Sequence, residues 1–240
     1  MKQILWFRRD LRVADSAILS FAKDEVLPIF IFDKNILNLF SSDDRRVTFI
    51  YKSVLKLKED LKKIGLDLAI FYSTPKEVFS KFKDDDFENI LCSVDFDDYA
   101  KKRDEEIAKI IPMQTFTDSF ITHPNDCLKA DKTPYKVFTP YYNNLKFIWD
   151  SYKLEEFKTN KNLKLIPFDF DSTPTLENMG FIKQNLPQFL QKSADELLQD
   201  FEQKIDNYKI DRDFFDKNAT SNLAVHLRFG LISPRQVFNK

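Results

Sequence analysis

Tyr208, Arg212 and the pair Thr220-Ser221 are the residues of this chain best suited, by type and spacing, to hold a ligand. They would bring an aromatic ring, a guanidinium and two hydroxyls to one helix N-terminus. Free backbone N–H groups and the positive dipole end there favour a phosphate or pyrophosphate. The competing reading is that Thr220 or Ser221 simply caps a core helix, and spacing alone favours it. A second polar group, Arg8, Arg9, Asp10 and Arg12, follows the first apolar run and reads as an ion network at a strand end, with a phosphate contact as the alternative. His123 and Cys127 are the one pair within reach of a shared zinc, and His226 is remote, so no metal is expected. Two histidines and no glycine elbow leave no nucleophile–base–acid set. A nicotinamide-binding fingerprint needs glycines just after the first strand, and none stands before Gly65. No catalytic residue is assigned.

The elements that must position these groups fall into two patterns. Five apolar runs (QILWF, EVLPIFIFD, DLAIFYS, NILCSVD and MQTFTDSFIT) alternate with helical stretches over the first 122 residues. Asp15 reads as the cap of a short helix through Phe21. Val47, Ile50, Val54, Leu57, Leu61 and Ile64 step by three and four toward Gly65, a helix end. Thr74-Pro75-Lys76-Glu77 is a capping box with proline at the first helical position. A charged helix is expected from about Asp97 to Ile110. The pattern predicts an open five-stranded parallel sheet with helices on both faces and a ligand crevice beyond the carboxyl ends of its strands.

The pattern then changes. A helix begins near Thr139-Pro140, residues 153–180 read as irregular, and from Ser193 onward the signals are helical only. Ser193 and Glu196 form a capping box, with Leu197, Phe201, Ile205 and Tyr208 on one face. Thr220-Ser221 and Ser233-Pro234 read as further helix starts, with Gly230 as a helix end between them. These helices carry apolar stripes and little sequence to cover them, so they read as the cut-off start of an all-helical domain. The expected division is an α/β domain over 1–128, a linker over 129–189 and the beginning of a helical domain over 190–240.

Composition narrows the function classes. The 240 residues are 43% hydrophobic and 31% charged, a balance that buries a real core. A net charge of −1 gives no global field for nucleic acid. Residues 208–240 hold six Lys/Arg against three Asp, a local basic bias. Two cysteines rule out a disulfide framework and suit a reduced cytoplasm. Only five residues separate Lys2 from Arg8, too few for a signal peptide or a membrane span.

The opening ILWFRRDLRVADSAIL resembles the start of the DNA photolyase/cryptochrome family. PYKVFTPYY resembles the family's segment leaving its antenna-type α/β domain. The run YKIDR, TSNL and GLISPRQ resembles the start of its helical FAD-binding domain. These motifs occur in order over nearly the whole chain. The resemblance implies light-driven repair, in which reduced FAD passes an electron to a cyclobutane pyrimidine dimer flipped out of DNA. A cryptochrome-type blue-light photoreceptor and a stand-alone α/β nucleotide- or partner-binding module are the alternatives. It also implies FAD contacts at Tyr208, Thr220, Ser221, Asn222, Leu223 and Ala224, and a DNA contact at Arg212. Ala224 stands where many members have a second serine. Tyr99-Ala100 stand where folate-antenna members have a polar-acidic pair, which speaks against folate as a second chromophore and for a flavin- or deazaflavin-like one, or none. A cytoplasmic monomer acting on dimer-containing DNA, with no membrane and no metal, completes the expectation. So few helices can supply only one wall of a flavin pocket.

Overall fold

The structure, a computed structural model, describes residues 1–149 and 154–240. Of the stretch expected to be irregular, residue 153 lies outside the described residues, as do 150–153 of the expected linker. Six parallel strands form one sheet: β1 (Lys2–Phe7), β2 (Glu25–Asp33), β3 (Ala69–Ser73), β4 (Asn89–Ser93), β5 (Met113–Phe116) and the two-residue β6 (Lys164–Leu165). The main order is β3-β2-β1-β4-β5, and β6 adds to β2 beside β3. The five predicted strands and their parallel arrangement are all present. The two-residue β6 carries too short an apolar run to be visible in the sequence.

Period-2 alternation sorts each central strand onto two cores. Leu5, Phe7, Phe30 and Phe32 face one cluster, and Ile4, Trp6, Ile29 and Ile31 face the other. Pro28 sits inside β2 without breaking it. Asp24 and Val26 accept hydrogen bonds from Lys164 and Ile166, and Pro28 shares their parity. Its missing N–H therefore points into the gap where β6 has ended and β3, which begins opposite Ile29, has not started.

Helices α1 (Ala17–Phe21), α2 (Lys34–Leu37), α3 (Arg45–Lys63), α4 (Pro75–Lys81) and α5 (Asp98–Ala108) follow the strands, and α6 (Phe138–Trp149) follows the sheet. Val47, Val54, Leu57 and Leu61 of α3 pack on the first cluster with Ile18 and Leu19 of α1. Val78 and Phe79 of α4 and Ile107 of α5 pack on the second. The Thr74 capping box is formed, and Gly65 ends α3 at φ +80°. One assignment is corrected. Ser16, not Asp15, caps α1, while Asp15 itself is buried at φ +49° with its carboxylate turned elsewhere.

The rest of the chain folds back onto this layer. Asn160 and Ile166 donate backbone hydrogen bonds to Leu19 and Val26, and Leu176, Met179 and Phe181 are buried in the first cluster. Four short helices follow: α7 (Ala194–Glu202), α8 (Tyr208–Asp211), α9 (Ala224–Arg228) and α10 (Pro234–Phe238). The continuous stripe expected from Leu197 to Tyr208 is broken, because α7 ends at Glu202 and Ile205 lies in a separate 3-10 turn, 54% exposed. The helices are also less bare than their stripes suggested. Ala194, Leu197, Leu198, Leu223 and Ile232 bury one another.

Asp15 explains much of the return. It accepts Arg235 Nε at 3.0 and 2.8 Å on its two oxygens, and the Ser233 hydroxyl donates to it. Asp118 receives Arg235 and, at 2.7 Å, Arg12. All five side chains are buried. Beside them Leu11 N–H donates to the Phe229 carbonyl at 3.1 Å. The C-terminal helices are thus fastened to the loops that follow β1 and β5. Among the described residues no helix is long and apolar enough to cross a membrane.

His226 of α9 gives this docking a pH dependence. It is buried edge-on to Phe49 of α3, its Nε2 lies 3.1 Å from the Lys192 carbonyl, and Nδ1 has no partner. Nε2 must carry the proton to bond that carbonyl, so a second proton would lie buried and unpaired on Nδ1. Burial accordingly lowers the pKa below its usual 6.5. The contribution to stability is complete above 6.5 and is lost as pH falls from there through the lowered folded value. Thermal melting between pH 7.5 and 5.5 should therefore drop more for the natural protein than for His226→Gln; equal slopes would show that His226 does not titrate in this window.

Candidate functional site: a cavity over the sheet

The chain winds outward from β1 through β2 to β3, then crosses back to β4 and β5. At such a reversal the connections after the two central strands diverge and leave a crevice beyond their carboxyl ends. A cavity of about 560 Å³ occupies that place, between the ends of β1, β2 and β4. Its body is apolar, with Phe30, Phe40, Ile50 and Phe229 among its walls, and Ala224, Val225 and Arg228 of α9 partly cover it. The volume lies within the range of small-molecule sites, roughly 300–1,000 Å³.

The floor is held by ion pairs. Arg8, its side chain 7% exposed, takes both Asp104 oxygens at 2.7 and 2.8 Å and also reaches the Ser93 carbonyl. Its guanidinium lies 4.7 Å from the Trp6 ring centroid, and that of Arg103 lies 4.8 Å from the same ring. Arg9 bonds Asp95 at 2.7 Å and Asp97 at 3.1 Å. Asp10 accepts from Ser93 Oγ at 2.6 Å, and burial raises its pKa. The predicted ion network at the first strand end is therefore present, and it forms one border of the cavity.

Tyr99 of α5 lines the same cavity. Its hydroxyl donates to Asp33 at 2.5 Å and accepts from Asn35 at 3.2 Å, and burial together with Asp33 pushes its pKa up to about 12. Ala100 is buried in the helix–sheet contact instead. Asp33, Arg46, Arg103, Arg228 and Phe229 line the site without having been singled out from the sequence. Asp33 had one legible signal, its place at the carboxyl end of a buried strand.

The other expected site residues are arranged differently from the single helix N-terminus foreseen. α9 begins only at Ala224, Leu223 stands at its cap without a side-chain cap bond, and the helix has five residues. Asn222, at φ +55°, turns the chain just before it. Ser221 Oγ accepts from Leu223 N–H at 3.4 Å, and Thr220 bonds Asn222, so neither hydroxyl caps the helix. Thr220 is exposed, Ser221 and Asn222 are half-buried, and Leu223 is buried in the small helical cluster. Tyr208 packs edge-on to Phe201, with the Arg212 guanidinium 5.6 Å from its ring and 3.7 Å from Asp213. His123 caps the turn at Pro124, and no group of three metal-ligating side chains occurs among the described residues.

Comparison with known proteins gives one consistent answer. The family model described as DNA photolyase matches residues 3–159. The deoxyribodipyrimidine photo-lyase of Alkalihalophilus pseudofirmus is 28% identical over 98% of this chain and 52% of its own length, and that of Synechococcus is 23% identical over the same shares. Among solved structures, an archaeal photolyase from Sulfolobus tokodaii with two FAD molecules superposes at a TM-score of 0.78. It is 26% identical and is covered over 54% of its length by the whole of this chain. A class III photolyase from Agrobacterium tumefaciens, at 22% identity over 99% of this chain and 52% of its own, shares the fold at a TM-score of 0.80. The chain spans about half the length of the curated relatives it matches.

The cavity roof depends on Gly230, which ends α9 at φ +65°. A Cβ there would stand 2.1 Å from the Arg9 carbonyl oxygen and 2.6 Å from Asp10 Cα. Gly230→Ala should cost roughly 2–4 kcal/mol in urea unfolding, from the left-handed backbone and the overpacking together. Gly180→Ala, at φ +84° with open space around it, should cost only about 1 kcal/mol. Equal losses would show that the close approach to Arg9 is not a constraint.

Proposed function

The chain belongs to the DNA photolyase family, and from that premise we propose that it serves light-dependent repair of cyclobutane pyrimidine dimers in DNA. The reading is carried by one observation: a chain whose whole length matches photolyases has a ligand-sized, aromatic-walled cavity at the switch point of its sheet. Residues 1–128 act as the light-gathering α/β domain, 129–189 as the connecting segment and 190–240 as the start of the flavin-binding helical part.

The cavity holds a second chromophore, a flavin- or deazaflavin-like ring. Phe30, Phe40 and Phe229 offer it apolar contact, and Asp33 and Tyr99 a polar edge. Ala100 is buried and Tyr99 is already engaged by Asp33, so these two positions offer a pterin no free polar partner. The two FAD molecules of the archaeal relative, one described as light-harvesting, bring the same arrangement to this chain as a proposal.

FAD itself would lie against Tyr208 and the segment Thr220–Ala224. The exposed Thr220 and half-buried Ser221 and Asn222 fit one wall of a flavin site. When bound, reduced FAD supplies the electron that splits the dimer. The chain's own task is to hold and orient. Arg212, exposed and anchored over Tyr208, reaches toward a DNA phosphate.

Deleting the coding sequence in its host should abolish the blue-light rescue of ultraviolet-irradiated cells, scored as dimers remaining in DNA, and leave dark survival unchanged. Unchanged rescue in the light would refute the repair reading.

A further inference from the structure

Trp6 is buried at the end of β1, where it borders the cavity. Two guanidiniums lie against its ring, and they come from different elements. Arg8 follows β1 and stands 4.7 Å from the ring centroid; Arg103 belongs to α5 and stands 4.8 Å from it. Phe79 meets the same indole edge-on at 4.9 Å. One carboxylate, Asp104, is shared by both cations, so the pair leaves a positive charge beside the ring. Arg8 Nε, itself shielded from solvent, has no hydrogen-bond acceptor among the described residues.

One arginine over a tryptophan is an ordinary stabilising contact. A second guanidinium on the same ring, sharing the first one's carboxylate, adds desolvation and like-charge repulsion. Packing alone does not require that cost. The charge does act on one property of the indole, the ease with which it gives up an electron. Losing an electron leaves a positive charge on the ring, and two cations at this distance oppose it strongly away from bulk water.

We propose that Arg8 and Arg103 hold Trp6 against oxidation, so that a light-excited ring in the cavity keeps its excitation instead of drawing an electron from the neighbouring indole. This rests on the reading that the cavity holds a ring-bearing chromophore, and it assigns a task to the wall once light has been absorbed. The step held back moves one electron and breaks no bond. The excited ring would gain the electron and Trp6 would become an indole radical cation. The electron would then return to Trp6, and the excitation would be lost as heat. Arg8 and Arg103 act through Trp6 and are positioning residues in this step, and Asp104 fixes both of them without cancelling both charges.

Two measurements test the assignment, the first without any flavin. Trp6 and Trp149 are the only tryptophans of the chain, so Trp149→Phe leaves Trp6 as its one indole, whose oxidation is read by voltammetry. In that background Arg103→Gln should move the Trp6 wave to lower potential, whereas Arg103→Lys, which keeps the charge, should leave it in place. The second reading is the fluorescence lifetime of FMN bound to the 240-residue protein. Arg103→Gln should shorten it about threefold, and adding Trp6→Phe to that variant should restore it. A purely structural Arg103 would lower stability and move neither reading. An unshifted wave overturns the assignment whether or not FMN binds. With FMN bound, a lifetime that does not shorten, or that Trp6→Phe does not restore, also overturns it and leaves the chromophore reading standing. Failure of the natural protein to bind FMN overturns both.

Discussion

Two buried carboxylates, Asp15 and Asp118, and two buried guanidiniums, Arg12 and Arg235, decide how this chain closes on itself. Each ion is nearly free of solvent contact, so each would be costly alone. The alternation of charge, with hydrogen bonds from the Ser233 hydroxyl and the Phe157 and Ala17 N–H groups, offsets that cost. The network joins residues more than two hundred positions apart, Asp15 to Arg235, and tolerates little change in their relative placement. Apolar packing alone would let α10 slide; a charge left unpaired inside the protein does not.

Everything above the sheet follows from that fastening. With α10 pinned, Gly230 is pressed against the Arg9 carbonyl, and α9 is laid across the carboxyl ends of the strands. The crevice expected at a topological switch point becomes a partly covered cavity. The walls divide the work: β1 and β2 place aromatic side chains in the body, and the loops after the strands together with α3, α5 and α9 supply the charges. Arg8 and Arg103, both close to Trp6 and both bonded to Asp104, hold α5 against β1 and so fix where Tyr99 stands.

Much of this was legible because it is local or periodic. The strands announced themselves by apolar runs, α3 by its three-and-four stepping, and the caps at Thr74, Ser193 and Ser233 by their own chemistry. The failures share a cause. Asp15 looks like a helix cap because aspartate often is one, yet its partners are Ser233 and Arg235, which no nearby residue foretells. Thr220 and Ser221 look like caps, but Asn222 in a left-handed conformation turns the chain before α9 begins. The stripe from Leu197 to Tyr208 keeps its period past the point where the helix stops.

The claim on which the account rests is that Asp15 and Arg235 hold the C-terminal helices on the sheet as a coupled pair. A double-mutant cycle by urea unfolding, using Asp15→Asn, Arg235→Gln and the double variant, measures that coupling directly. The account predicts single losses of about 3–5 kcal/mol and a coupling energy of about 2 kcal/mol or more, with the double variant recovering part of the loss. Additive losses, with coupling near zero, would mean that the network is incidental and that something else closes the cavity.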